Sequence, residues 1–270
     1  MPHKPRKRFG QNFLQKQEVI DDILWAIHPQ PDDLMVEIGP GLGALTQPLA
    51  QALKQLHVIE LDRDIVTTLR EKYTNGNVII HEGDALKFNF ASLGAKIRVV
   101  GNLPYNISTP LLFHLTAQIV CVRDIHAMLQ KEVVERMVAA PDTAAYGRLS
   151  VALQYRFEME KVLDVGPDAF YPRPKVDSAV IRMLPRAKPE RQASDEALFA
   201  RIVTTAFSQR RKTLRNTLRN VLESADFEVL GIDPQARAET LAVGDFVRIA
   251  NHISAGENPK AVFRCTNSIL

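Results

Sequence analysis

Over residues 34–184 short apolar runs alternate with segments of helical periodicity, and this alternation constrains the fold more than any other feature of the chain. Residues 34–38, 57–60, 77–81, 97–100 and 125–129 read as strands separated by helix-patterned stretches. Parallel neighbours need such crossovers, so the pattern predicts βαβ units and a mainly parallel sheet. Residues 161–165 and 178–183 flank a proline-rich loop with no room for a helix, which predicts an antiparallel pair at the sheet edge. The expectation is an α/β fold with seven strands.

After a polar stretch at 185–193 with two prolines the pattern turns wholly helical. Ser194 is the expected N-cap of a helix whose first turn carries Asp195 and Glu196, favourable near the positive end of the helix dipole. Phe199, Ile202, Val203, Ala206 and Phe207 form one apolar face. Leu214, Leu218 and Leu222 repeat the spacing, Gly231 and Pro234 break it, and 245–253 forms a last helix. Two domains are therefore expected, 1–186 and a small all-helical 187–270.

The 270 residues, 46% hydrophobic and 24% charged, have the balance of a well-cored globular protein, and no apolar run is long enough to span a bilayer. The basic N-terminus lacks the apolar segment of a secretory signal. Cys121 and Cys265 stand far apart and the seven histidines are scattered, which fits a reducing cytoplasm and predicts no metal site. No long exposed apolar stripe demands an oligomer, so a monomer is expected.

The first strand runs directly into Glu37-Ile38-Gly39-Pro40-Gly41-Leu42-Gly43. Glycines at a strand-to-helix turn let the backbone approach a ligand closely. Glu60, 21 residues after Gly39, closes the second strand, where a carboxylate can hold ribose hydroxyls. Gly39, Gly41 and Glu60 thus predict a nucleoside-type ligand; the relaxed fingerprint Gly39-x-Gly41-x-x-Ala44 leaves a nicotinamide dinucleotide open. Glu37, two residues before the first glycine, and Asp84, closing the third strand, favour S-adenosylmethionine. Glu37 would face its methionine part and Asp84 its adenine amine, although Asp84 also suits a helix N-cap.

Asn102-Leu103-Pro104-Tyr105 ends the fourth strand and so faces the same crevice. An adenine amino nitrogen is a poor nucleophile because its lone pair is delocalised. The Asn102 side-chain oxygen and the Leu103 carbonyl, aimed at its hydrogens, would orient that lone pair and stabilise the developing charge. Pro104 stiffens the turn, and Tyr105 offers a ring for the extruded base.

These motifs resemble the ribosomal RNA adenine dimethylases, especially the bacterial small-subunit branch, over nearly the whole chain. The likeness extends to Gly10-Gln11-Asn12-Phe13-Leu14, to Phe170-Tyr171-Pro172-Arg173-Pro174-Lys175-Val176-Asp177-Ser178, and to Phe207-Ser208-Gln209-Arg210-Arg211-Lys212-Thr213-Leu214-Arg215-Asn216. It implies a Rossmann-like class I methyltransferase fold, with Asn12 and Leu14 as contacts where the N-terminal stretch closes over the cofactor. Gly39, Glu60, Asp84 and Asn102 match the remaining cofactor positions, and Phe170 matches an aromatic that stacks on the target base opposite Tyr105. It further implies dimethylation of two adjacent adenosines near the 3′ end of small-subunit ribosomal RNA, in the assembling small subunit.

Charge distribution agrees with an anionic polymer as partner. Lys4, Arg6, Lys7 and Arg8 crowd the first ten residues, and Arg210, Arg211, Lys212, Arg215 and Arg219 form a second acid-free cluster. On a continuous helix Arg211, Arg215 and Arg219 would make one basic stripe for phosphates. A nicotinamide-dependent dehydrogenase and a non-catalytic ribosome-assembly factor are the competing readings; the first leaves the Asn-Leu-Pro-Tyr turn unexplained. Residues 261–270 carry no assigned role.

Overall fold

The computed structural model describes residues 11–187 and 192–256, which form two compact units. The basic N-terminal cluster, Cys265 and residues 261–270 lie outside the described residues.

The first unit (residues up to Glu135, and Phe157–Pro185) is built on a seven-stranded sheet. A short strand β1 (Phe13–Leu14) and helix α1 (Gln17–Ile27) precede it. Then follow β2 (Met35–Ile38), α2 (Thr46–Ala52), β3 (Leu56–Glu60), α3 (Arg63–Lys72), β4 (Val78–Glu82), β5 (Ile97–Asn102), α4 (Ser108–Ala117), β6 (Val122–Gln130) and α5 (Lys131–Val138). After α6 (Arg148–Gln154) come β7 (Phe157–Val165), a two-residue β8 (Phe170–Tyr171) and β9 (Ser178–Pro185).

The sheet order is β4-β3-β2-β5-β6-β9-β7, parallel from β4 to β6 and antiparallel where β9 meets β6 and β7. All residues of β2 and β3 are buried, as parallel strands covered on both faces require. Edge strand β7 instead alternates buried ends with exposed Glu158, Glu160, Lys161 and Asp164, charges that guard a free edge against mispairing. The expected antiparallel pair is therefore present, with β7 as the edge and β9 inserted beside it.

Two devices were not visible in the periodicity. β1 pairs with β8, Phe13 opposite Tyr171 and Leu14 opposite Phe170, in a separate two-stranded ribbon. Buried Arg98 on β5 bonds Asp124 at 3.0 Å, Asp33 at 2.6 Å and the Ile27 carbonyl at the end of α1 at 2.6 Å. That guanidinium satisfies two buried carboxylates and a helix-terminal carbonyl together.

The second unit comprises Arg136–Arg156 and the chain from Arg186. Its helices are α6, α7 (Glu196–Ala206), α8 (Leu214–Thr217), α9 (Ser224–Leu230) and α10 (Val243–Ser254). Its core joins Phe199, Ile202 and Val203 of α7 to Phe246, Ile249 and Ala250 of α10, and also takes Tyr146, Val151 and Tyr155. The chain re-enters this unit at Arg186, beside the expected boundary, and the unit additionally takes Arg136–Arg156, of which Ala139, Tyr146, Val151 and Tyr155 are buried in this cluster and Tyr146 bonds the Leu241 carbonyl at 2.9 Å.

Two local expectations also change. Asp195, not Ser194, caps α7 by accepting from the Leu198 N–H, while Ser194 pairs with Asn251. No continuous helix carries Arg211, Arg215 and Arg219: α7 stops at Ala206, turns occupy 207–212, and α8 is a single turn. Thr213 is extended and bridges to Arg237, which breaks the helix, yet Leu214, Leu218 and Leu222 are all buried as their spacing predicted.

Candidate functional site

The carboxyl ends of β2, β3 and β5 open into one cleft of about 340 Å³. Its walls bring together Asn12, Leu14, Glu37, Gly39, Gly41, Glu60, Asp84, Asn102, Leu103, Pro104 and Tyr105, all expected to meet there.

The glycine loop has the backbone its sequence demands. Gly39 and Gly41 stand at φ +67° and +55°, which side chains rarely allow. A Cβ on Gly41 would also lie 2.9 Å from the Phe13 ring, so the loop and the N-terminal strand are packed too tightly for any other residue. Gly101 has a similar reason: a Cβ there would come within 2.4 Å of the Ile38 carbonyl oxygen on the neighbouring strand.

Three carboxylates line the cleft, each in a different state. Glu37 is 2% exposed and its Oε2 has no hydrogen-bond partner among the described residues. Burial, with the Glu60 charge adding to it, pushes its pKa up to about 7. Glu60 is raised by burial as well, although N–H groups of Asp62 and Leu61, both at 2.8 Å, hold one oxygen and favour the ionised form. Asp84 accepts the Leu86 N–H at 2.9 Å. It therefore does the turn-capping its local sequence suited while also facing the cleft.

The Asn102 amide is oriented from across the cleft. Its Nδ2 donates to the Asn12 carbonyl at 2.9 Å. A carbonyl can only accept, so the nitrogen must face Asn12 and Oδ1 is left as the acceptor. Leu103 is anchored by its N–H to the Met128 carbonyl on β6 at 3.1 Å. Gln11, which also lines the cleft, donates to Asp62 at 3.2 Å, tying the N-terminal segment to the cap of α3.

Phe170 does not line the cleft. It is 5% exposed and packs with Leu14, Val165 and Val180, because pairing with β1 turns it into the core. The proline loop therefore presents Tyr171, 60% exposed, rather than Phe170. Phe13, Gly101 and Ser178 took no role in the sequence reading. Only Gly101, a glycine inside a strand, carried a signal, that of close backbone approach.

The donor set fits a nucleoside carrying a cationic amino-acid tail. The buried Glu37 oxygen lacks the donor that an ammonium would provide, Glu60 and Asp84 offer acceptors, and the glycine loop leaves room for the chain to pass. In the second unit Arg210, Arg211, Lys212, Arg215 and Arg219 are all exposed. Arg210 is engaged by Glu239 and the Ala144 carbonyl, and the other four form no ion pair among the described residues.

Comparison with known proteins agrees with this chemistry. Residues 2–255 match the family described as ribosomal RNA adenine dimethylase. A ribosomal RNA small subunit methyltransferase A from Aromatoleum aromaticum is 60% identical over 96% of this chain and 98% of its own. A protein of the same name from Nitrosospira multiformis is also 60% identical, over 94% of this chain and 98% of its own. Among solved structures, a dimethyladenosine transferase from Plasmodium falciparum superposes with a TM-score of 0.78 at 24% identity, covering 91% of this chain and 98% of that one. The 23S rRNA methyltransferase ErmE gives 0.70 at 26%, covering 90% and 100%. The fold is thus the Rossmann-like methyltransferase fold, and the chain is a methyltransferase belonging to the ribosomal RNA adenine dimethylase family.

Proposed function

We propose that the protein binds S-adenosylmethionine in this cleft and dimethylates the exocyclic amine of two adjacent adenosines near the 3′ end of small-subunit ribosomal RNA. It would act as a cytoplasmic monomer on the assembling small subunit. The observation that carries the reading is the placement of Asn102 and Leu103 at the end of β5, in the same cleft as Glu37, Gly39, Glu60 and Asp84. Among the described residues no helix is long and apolar enough to cross a membrane, and no group of side chains could hold a metal ion.

Bound S-adenosylmethionine supplies an electrophilic methyl group on a sulfonium. Glu37 pairs with the ammonium, Glu60 with the ribose hydroxyls and Asp84 with the adenine amine, while Asn12 and Leu14 cover the cofactor. Asn102 Oδ1 and the Leu103 carbonyl accept the hydrogens of the target amine. They would steer its lone pair and stabilise the positive charge that grows on nitrogen as the new C–N bond forms and the methyl–sulfur bond breaks, its electron pair leaving with the sulfur as a neutral thioether. Once charged, that nitrogen gives up its proton readily, so no strong base is required. Tyr105 supports the extruded base, and Phe170 acts beneath the ribbon by holding Leu14. Exposed Arg211, Lys212, Arg215 and Arg219, helped by Arg210, position phosphates and leave specificity to RNA shape.

The test is labelled methyl transfer to small-subunit particles that lack this modification, followed by nucleoside analysis, with large-subunit RNA as the second substrate. Dimethyladenosine in the small-subunit RNA is expected. Asn102→Ala should reduce transfer about 100-fold or more while particle binding persists. Label appearing only in large-subunit RNA, or full activity in Asn102→Ala, would overturn the reading.

A further inference from the structure

Ser178 owes its place to the topology of the sheet. β9 runs antiparallel to β6, with Ser178 opposite Gln130, the last residue of that strand. A strand entering the sheet backwards begins where the parallel strands end, so its first residue reaches the crevice at the end of β5. There the Ser178 Oγ lies 2.7 Å from the Tyr105 hydroxyl. Ser178 is fully buried, and a serine on such a position is costly unless its hydroxyl is bonded. Tyr105 is held from its other end too, where its carbonyl accepts the hydroxyl of Ser108 at 3.1 Å. A side chain fixed at both backbone and ring tip keeps its long axis in one direction.

A stacking surface needs no hydroxyl, because a phenylalanine ring offers the same face. The hydroxyl of Tyr105 is therefore explained by its bond to Ser178 rather than by the stack. We infer that Ser178 is a positioning residue for methyl transfer: by holding the Tyr105 hydroxyl it fixes the axis and position of the ring against which the target adenine rests. The inference builds on the reading of Tyr105 as the base platform.

The test compares Ser178→Ala, Tyr105→Phe, their double variant and Tyr105→Ala in methyl transfer to unmodified small-subunit particles. Cofactor affinity is measured by calorimetry and folding by thermal melting. Loss of one hydrogen bond should lower kcat about fivefold in Ser178→Ala and in Tyr105→Phe, with the double variant no slower than either. KM for the particle and cofactor affinity should stay unchanged. Unchanged kcat in both single variants, or losses that multiply in the double, would overturn the inference. Should Ser178→Ala fail to fold, Tyr105→Phe decides by itself: a folded variant with full kcat refutes the positioning role. Full activity in Tyr105→Ala would instead remove the platform reading beneath it.

Discussion

Glu37 sits where water does not reach it, with one oxygen unpartnered and its pKa near 7. The folded value lies above the unfolded one. The stability this group contributes is therefore complete below the ordinary carboxylate range and lost as pH rises through about 7. An ammonium bound beside it would reverse the preference and drive the proton off. Cofactor binding near neutral pH should thus release a proton and tighten as pH rises through that window, visible in calorimetry as a buffer-dependent enthalpy. A Glu37→Gln variant should show neither effect. Much of this residue-level chemistry was legible in the sequence, because motif positions at strand ends converge whatever the details of packing. What was not legible depends on partners distant in sequence. Asn12 orienting Asn102 and Ser178 holding Tyr105 are set by the path of the whole chain, and so is the burial of Phe170, whose strand partner lies in β1.

Among elements, the contact between β2 and β5 is the least forgiving. Gly101→Ala would drive a methyl group into the Ile38 carbonyl, which is backbone and cannot yield, so a loss of about 1 to 3 kcal/mol is expected in denaturant melts. Arg98 on the same strand holds Asp33 and Asp124. Burial works against both charges, but the Gln30 N–H with Arg98 and Arg123 at Asp33, and the neighbouring His126 with Arg98 at Asp124, outweigh it, so both pKa values fall below the ordinary range. Depressed carboxylates lend stability above their unfolded value, lost as pH drops through the folded one. Arg98→Met, which leaves buried Asp124 without its guanidinium while Asp33 keeps Arg123 at 2.8 Å, should cost about 3 to 5 kcal/mol at neutral pH, and the penalty should shrink in acid as Asp124 protonates. The parallel run and an antiparallel pair at the sheet edge were legible in the spacing, whereas the strand order and the insertion of β9 beside β6 were not. The helix expected through Arg211 did not form, because apolar periodicity reports which side chains are buried and says little about the backbone between them.

For the whole molecule, the second unit is assembled from two stretches of chain. A fragment of residues 187–270 lacks Tyr146, Val151 and Tyr155 and would expose the core they cover. It should give the poorly dispersed amide spectrum of an unfolded chain. Exposed Arg211, Lys212, Arg215 and Arg219 make a second prediction at this scale. Their neutralisation should weaken RNA binding and flatten its dependence on the logarithm of salt by about 0.7 for each phosphate they cease to neutralise. An unchanged slope would make them a solvated face only.

The ribbon of β1 and β8 bears on the order of events during synthesis. Phe13, which packs on the glycine loop, meets its strand partner Tyr171 only after the five parallel strands have been made. Closing so long a loop is slow, and the N-terminal segment gains those backbone bonds only once it is closed. The wall containing Asn12, and with it the orientation of the Asn102 amide, would therefore wait until residue 171 has been made. On the ribosome, all five parallel strands would thus be made before the Asn12 wall of the cleft could close.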